Sequence, residues 1–235
     1  MFWKLYLIPV SYKRRLHLIS QLTCILFLQW YILDFEVTNY MHTINLIQLV
    51  FRCLTIALAL YYLIRKKYKM IGSLILVLVL SYLPGLANRF LGIVIDPYSI
   101  MIYLIVLFMA LYLGSSLGYY DRYWWWDRTI HFLSGVGFTG FGLAIIKINP
   151  DSKKVISLLF GFTFSVTLHV IWEVLEYVSD CLTHGNAQRW QKIHASVNHM
   201  PENAIQPAGL VDTMNDTICC MIGAGIAAII WWLIL

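Results

Sequence analysis

The stretch "HVIWEVLEYVSD" at residues 169–180 places one histidine and three carboxylates at the end of an apolar run, "VISLLFGFTFSVTL". At about 100° per residue, His169, Glu173, Glu176 and Asp180 fall at about 0°, 40°, −20° and 20°, one narrow helical stripe. Two other apolar segments carry similar stripes. "WWWDRTIHFLSG" puts Asp127 and His131 at i, i+4, and "GLVDTMNDTICCMIG" puts Asp212 and Asp216 one turn apart. Carboxylates with one or two imidazoles are donors for a hard or borderline divalent cation, which can activate water or a hydroxyl. In that chemistry Asp127, His131, Glu173, Glu176, Asp212 and Asp216 are candidate ligands, with His169 and Asp180 as secondary candidates. His131 and Glu173 are also candidate catalytic groups, and Arg128 is a candidate catalytic partner for a phosphate or carboxylate.

These residues need elements that position them. The chain has 235 residues, of which 60% are hydrophobic and 12% charged. Soluble domains are about 25% charged and about 45–50% apolar, so the excess points to a bilayer. Nine Trp and fifteen Tyr suit the membrane–water interface. The expected fold is an all-α polytopic membrane bundle, with one membrane domain over residues 1–235 and a long polar loop at 179–208. Candidate spans of about twenty apolar residues are 16–33, 43–64, 70–87, 99–117, 129–147, 155–178 and 210–235, giving six or seven crossings. The segment 81–99, with Pro84, Asn88, Arg89, Asp96 and Pro97, is expected to break a helix or run on as a tilted or re-entrant piece.

Basic residues cluster at 12–15 and 65–69, beside apolar segments. Positive-inside topology accounts for them more simply than nucleic-acid binding. With both clusters on the cytoplasmic side, seven spans would put Lys147, Lys153 and Lys154 outside. An odd number of crossings over 70–117 would remove that conflict, so sidedness stays open. Span alternation nevertheless brings the start of 129–147, the end of 155–178 and the start of 210–235 to one face. The three polar stripes can therefore converge there. Gly135, Gly142 and Gly223 continue two of the stripes and let helix backbones approach, a pattern equally suited to ordinary packing.

A charge near the middle of a bilayer helix costs about 2.5–3.5 kcal/mol on the insertion scale. Helix ends explain Asp127, Asp180 and Asp212 on their own, but Glu173, Glu176, His131 and Asp216 lie a turn or more inside apolar sequence. Protons, Arg122 and Arg128, or a divalent metal would offset their mutual repulsion. Three functions remain open: a metal-dependent enzyme on a lipid or lipid-linked substrate, a proton- or ion-coupled transporter, and a polar network that only locks helices together.

Other residues rank lower. Cys24, Cys53, Cys219 and Cys220 lie in apolar spans and Cys181 just past one, with no metal spacing, so they are expected to be small buried hydrophobes. His17 and His42 sit at span ends, and His184, His194 and His199 lie in the polar loop. Ser134 is on a different part of the helix face from His131. The N-terminal stretch lacks a small-residue cleavage pattern and is not expected to be a cleavable leader.

"WDRTIHFLSG", "WEVLEYVSD" and "GLVDTMNDTICCMIGA" resemble the three motif blocks of the YjdF-like family of bacterial polytopic membrane proteins, over about residues 126–225. More distantly, D-[KR]-x-x-H-F, an acidic pair and D-x-x-x-[ND] are similar to the VanZ-like family, which is linked to glycopeptide resistance. The resemblance implies a bacterial cytoplasmic membrane protein. It carries over Asp127, Arg128, His131, Glu173, Glu176, Asp212 and Asp216 as a polar signature, without a catalytic role for any of them. The VanZ-like pattern has an amide where this chain has Glu176 and Asp216, which separates the two possible ligand sets.

Overall fold

In the computed structural model the described residues are 39–147, 153–188 and 206–235, with side chains described from Ile44 onward. The expected span 16–33, the basic cluster 12–15, Cys24, His17, the His42 side chain, His194 and His199 lie outside them. The described residues are helical and contain no strand. The helices are α1 (Asn39–Ile64), α2 (Tyr68–Leu80), α3 (Leu83–Leu91), α4 (Pro97–Leu107), a π-helical continuation (Phe108–Ser116), α5 (Tyr119–Arg122), α6 (Trp126–Ile146), α7 (Lys154–Thr183) and α8 (Ala208–Ile234). Six stretches among them are long and apolar enough to cross a membrane: Ile44–Ile64, Tyr68–Leu91, Pro97–Ser116, Trp126–Ile146, Lys154–Thr183 and Ala208–Ile234.

Residues 70–117 hold two of these stretches, an even number of candidate crossings. The cluster 65–69 lies at the face where α6 begins, and Lys147, Lys153 and Lys154 lie at the other. With two crossings there, the charge conflict noted in the sequence is not removed.

The break in 81–99 has a physical cause. Pro84 has no N–H and its ring crowds the carbonyl four residues back, so the helix stops at Ser81–Tyr82 and restarts with proline in its first turn. The freed carbonyls need partners in an apolar medium. Tyr103 Oη donates to the Leu80 carbonyl at 3.0 Å, and Arg52 Nη2 donates to the Ser81 carbonyl at 2.8 Å. Arg52 also donates through Nε to Ser81 Oγ at 3.0 Å and through Nη2 to Gln48 Oε1 at 2.5 Å, while its guanidinium stacks on Tyr82. Gly92, with φ 67°, closes α3. Its N–H reaches the Asn88 carbonyl and that of Ile93 reaches Ala87. Asp96 then caps α4 by accepting from Ser99 N at 2.9 Å, ahead of Pro97.

α6 is the centre of the bundle and packs on α8, α7 and α4. Glycines make each contact close. A Cβ at Gly135 would meet the Cys220 carbonyl oxygen at 2.2 Å, and one at Gly223 would meet the Phe132 carbonyl oxygen at 2.1 Å. Gly142 faces Gly161 of α7, and Gly140 faces Ser99 of α4. Large apolar side chains such as Leu159, Val170 and Ile229 point outward, as a hydrocarbon solvent permits.

Candidate metal centre

The three stripes meet. On α6, His131 Nε2 lies 3.3 Å from Asp127 Oδ1, its neighbour one turn earlier. Asp216 of α8 brings Oδ2 to 4.0 Å from the same nitrogen. On α7, His169 faces His131 Nδ1 to Nδ1 at 3.1 Å, with ring planes at 80°. Glu173 Oε1 lies 3.6 Å from His169 Nε2. His131, His169, Glu173 and Asp216 are buried, whereas Asp127 is half-buried. The glycine contacts explain the convergence: Gly135 sits one turn beyond His131, and Gly223 about two turns beyond Asp216.

Counting hydrogens, with the Thr217 hydroxyl on its helix carbonyl, gives one consistent proton arrangement. Thr217 Oγ1 donates its only hydrogen to the Thr213 carbonyl at 2.7 Å. It can then only accept from His169 Nε2, 3.0 Å away. A neutral His169 thus offers a bare Nδ1, and His131 Nδ1–H must donate to it. The remaining nitrogen, His131 Nε2, points between two carboxylates. A lone pair there, flanked by Asp127 and Asp216, requires a cation, either a proton or a metal ion.

Two sets of side chains place ligand atoms within 4.8 Å of one another: Asp127–His131–Asp216 and His131–His169–Glu173. The hydrogen count favours the first. There His131 binds through Nε2 and donates its other N–H to His169, the usual orienting arrangement around a metal-ligating imidazole. Asp216 Oδ1 and Glu173 Oε1 are buried and have no hydrogen-bond partner, as is Trp126 Nε1. An unpartnered buried carboxylate oxygen is costly, and a cation satisfies it.

The remaining sequence candidates take other positions. Asp180 accepts from Ala187 N at 2.7 Å and Gln188 N at 3.0 Å, tying down the connection that leaves α7 through His184 at φ 54°. Gln188 Nε2 in turn reaches Thr213 Oγ1 at 3.2 Å. Glu176 accepts from Trp172 Nε1 at 2.7 Å, one turn along its own helix. Asp212, one turn before Asp216, belongs to neither ligand-spaced set. Arg128 stacks its guanidinium over Trp124. Thr217, the acceptor that orders the imidazoles, and Arg52 were not among the sequence candidates.

Two cavities adjoin the centre. A vestibule of about 580 Å³ at the same face is lined by Asp121, Asp127, Glu176, Ser115, Ser179 and Asn186, among others. An apolar chamber of about 320 Å³ has His131, His169 and Ser134 on its wall. Ser134 thus shares the chamber with His131, although its hydroxyl donates to the His131 carbonyl at 2.8 Å.

No curated protein and no solved structure matches the chain. Residues 47–235 match a family described as "Predicted membrane protein (DUF2238)", a match that takes in all six described spans but the first three residues of one. The chain belongs to that family of membrane proteins.

Proposed function

We propose that this protein is a metal-dependent membrane enzyme acting at one bilayer face on a lipid or lipid-linked substrate. The observation that carries this reading is His131 Nε2, left between Asp127 and Asp216 by a hydrogen-bond chain that ends at Thr217. One imidazole and two carboxylates suit a borderline or hard divalent ion such as Zn²⁺ or Mn²⁺. Such an ion supplies Lewis acidity toward a carbonyl or phosphoryl oxygen and activates water. Asp127, half-buried, also lines the vestibule, so the centre is reachable from that face. Glu173 lies behind His169 and supplies compensating negative charge to the imidazole pair. The resemblance of the three motif blocks to YjdF-like and VanZ-like proteins supports a bacterial cytoplasmic membrane as the setting.

Transport is the weaker reading. On the far side of the histidines, Thr139 and Ser165 are both fully buried and both donate to the Gly135 carbonyl. Glycine-mediated backbone contacts close the space around them. A polar path toward the second face therefore stops one turn past His131.

The test is metal content of the purified full-length protein after chelation and reloading with Zn²⁺ or Mn²⁺. About one equivalent in the wild type, absent from a helical Asp216→Asn variant, supports the centre. Folded wild-type protein that binds neither ion above an unrelated membrane protein refutes it.

A further inference from the structure

The apolar chamber is a gap between two spans. Pro97–Ser116 and α7 each pack on α6 but scarcely touch each other. The wall on one side is the π-helical stretch, through Ala110 and Leu111; on the other it is α7, through Ile171, Trp172 and Leu175. Those three α7 side chains are about half exposed, on a helix that spans the bilayer, so the gap opens toward hydrocarbon. π-Helical segments are rare and frequently lie at functional sites. Here the segment shapes a chamber within the size range of ligand pockets, roughly 300–1,000 Å³.

Chamber and vestibule are neighbours that share part of one wall. Ala110, Leu111, Tyr120, Trp172 and Leu175 line both. Tyr120 stands at the junction because Gly114 leaves room for its ring. The two spaces differ sharply in chemistry. The chamber is hydrocarbon-like up to the histidines. The vestibule carries Asp121, Asp127 and Glu176, and no Lys or Arg is among its described lining residues.

We propose that the substrate is an amphiphile taken sideways from the leaflet, one hydrocarbon chain in the chamber and the headgroup in the acidic vestibule. The chain–headgroup junction then lies beside His131, which lines the chamber, and Asp127, which lines the vestibule. The headgroup is rich in O–H or N–H donors, a polyol or an amine, because the described lining of the vestibule offers Asp121, Asp127 and Glu176 and includes no Lys or Arg to pair with an anionic head. This deepens the reading of the metal centre and takes its reacting position from it.

The test uses full-length protein in nanodiscs, stripped of metal with chelator, and three amphiphiles with one identical diazirine-bearing chain. Their heads are glycerol, a primary amine and a phosphate. Adducts are mapped by mass spectrometry after illumination. The expected result is labelling concentrated at Phe138, Leu168 and their neighbours with the glycerol or amine probe, several-fold above the phosphate probe. Ala110→Trp, which fills the chamber, cuts that labelling several-fold and leaves adducts at lipid-facing Leu159 and Ile229 unchanged. Leu175→Trp at the exposed rim provides the same test without loading the helix contact. Labelling spread evenly over lipid-facing side chains and unaffected by either variant overturns the chamber. Equal labelling by the phosphate probe overturns the headgroup class. Because the metal is absent throughout, chamber labelling by a protein that never binds metal would leave this inference standing and remove the centre.

Discussion

His131 and His169 meet Nδ1 to Nδ1 across α6 and α7, and Thr217 of α8 decides which of them carries the proton between the rings. Three helices thus take part in setting one nitrogen, His131 Nε2, between Asp127 and Asp216. Different members of this arrangement should fail in different ways.

Removing His131 deletes the residue that both ligand-spaced sets share, so His131→Ala should bind no Zn²⁺ or Mn²⁺ at any reachable concentration. Thr217→Val keeps the shape and removes only the acceptor. It should retain full stoichiometry with affinity lowered about 10–100-fold, the usual cost of losing an outer partner. Competition titration against a fluorescent chelator separates the two. Thr217→Val that binds as tightly as wild type would contradict the proton arrangement.

Metal and protons compete for the same atoms, because ligands bind as bare imidazole and ionised carboxylate. Affinity should therefore rise as pH rises and fall as it drops, with protons released on binding. Isothermal titration at pH 6 and pH 8, in buffers of different ionisation enthalpy, reads both effects. Affinity that is flat across that range, with no proton release, would count against binding through His131 Nε2.

Gly223→Ala should destabilise the bundle, since its methyl would meet the Phe132 carbonyl oxygen at 2.1 Å. Overpacking of this kind costs about 1–3 kcal/mol. Gly225, with nothing within 4 Å of an added Cβ, is the control. Gly225→Ala should be neutral or slightly stabilising, because alanine is the better helix former. Thermal unfolding in detergent, followed by circular dichroism, gives the comparison.

Asp180→Ala should loosen the segment after α7 while leaving metal stoichiometry intact. It strips acceptors from the Ala187 and Gln188 amides, at about 1–3 kcal/mol if they remain unsatisfied. Hydrogen exchange at 185–188 should accelerate markedly. Loss of metal in this variant, with unchanged exchange, would make Asp180 a ligand instead.

Arg52→Met leaves the Ser81 carbonyl and Gln48 without their donor at the break between α2 and α3. The expected cost is about 1–3 kcal/mol for each buried group left unsatisfied. Tyr103→Phe should cost less, since it frees only the Leu80 carbonyl. Unfolding of both variants in the same detergent tests the order.

What the sequence revealed, it revealed through periodicity and alternation. Helical spacing put His169 and Glu173 on one stripe, and span parity put that stripe at the face of Asp127, His131 and Asp216. Both arguments need only one helix or one crossing at a time. Glu176 and Asp180 show where such reasoning ends. They share the angular stripe of Glu173, but Glu176 turns to Trp172 and Asp180 turns to the amides of its own connection. Spacing fixes the direction in which a Cα–Cβ bond points, not the partner the carboxylate finds. Arg52 escaped notice because two of its partners, Ser81 and Tyr82, lie beyond its own helix, at a break made by Pro84. The chamber depends on two spans that fail to pack, and no local pattern encodes that. Pro84 was legible as a break, and the break fell at Ser81–Tyr82, where the proline's missing N–H takes effect.

The glycines of α6 bear on tolerance. Most protein cores absorb a substitution by shifting rotamers, because neighbouring helices touch through side chains. Here α6 meets α8 largely backbone to backbone, at Gly135 and Gly223. Few rotamers lie between them to readjust, so the spacing of the two helices is set by main-chain atoms in contact. His131 and Asp216 inherit that spacing from positions one and two turns away. The distance between two side chains of the centre is thus held by residues that have no side chain at all.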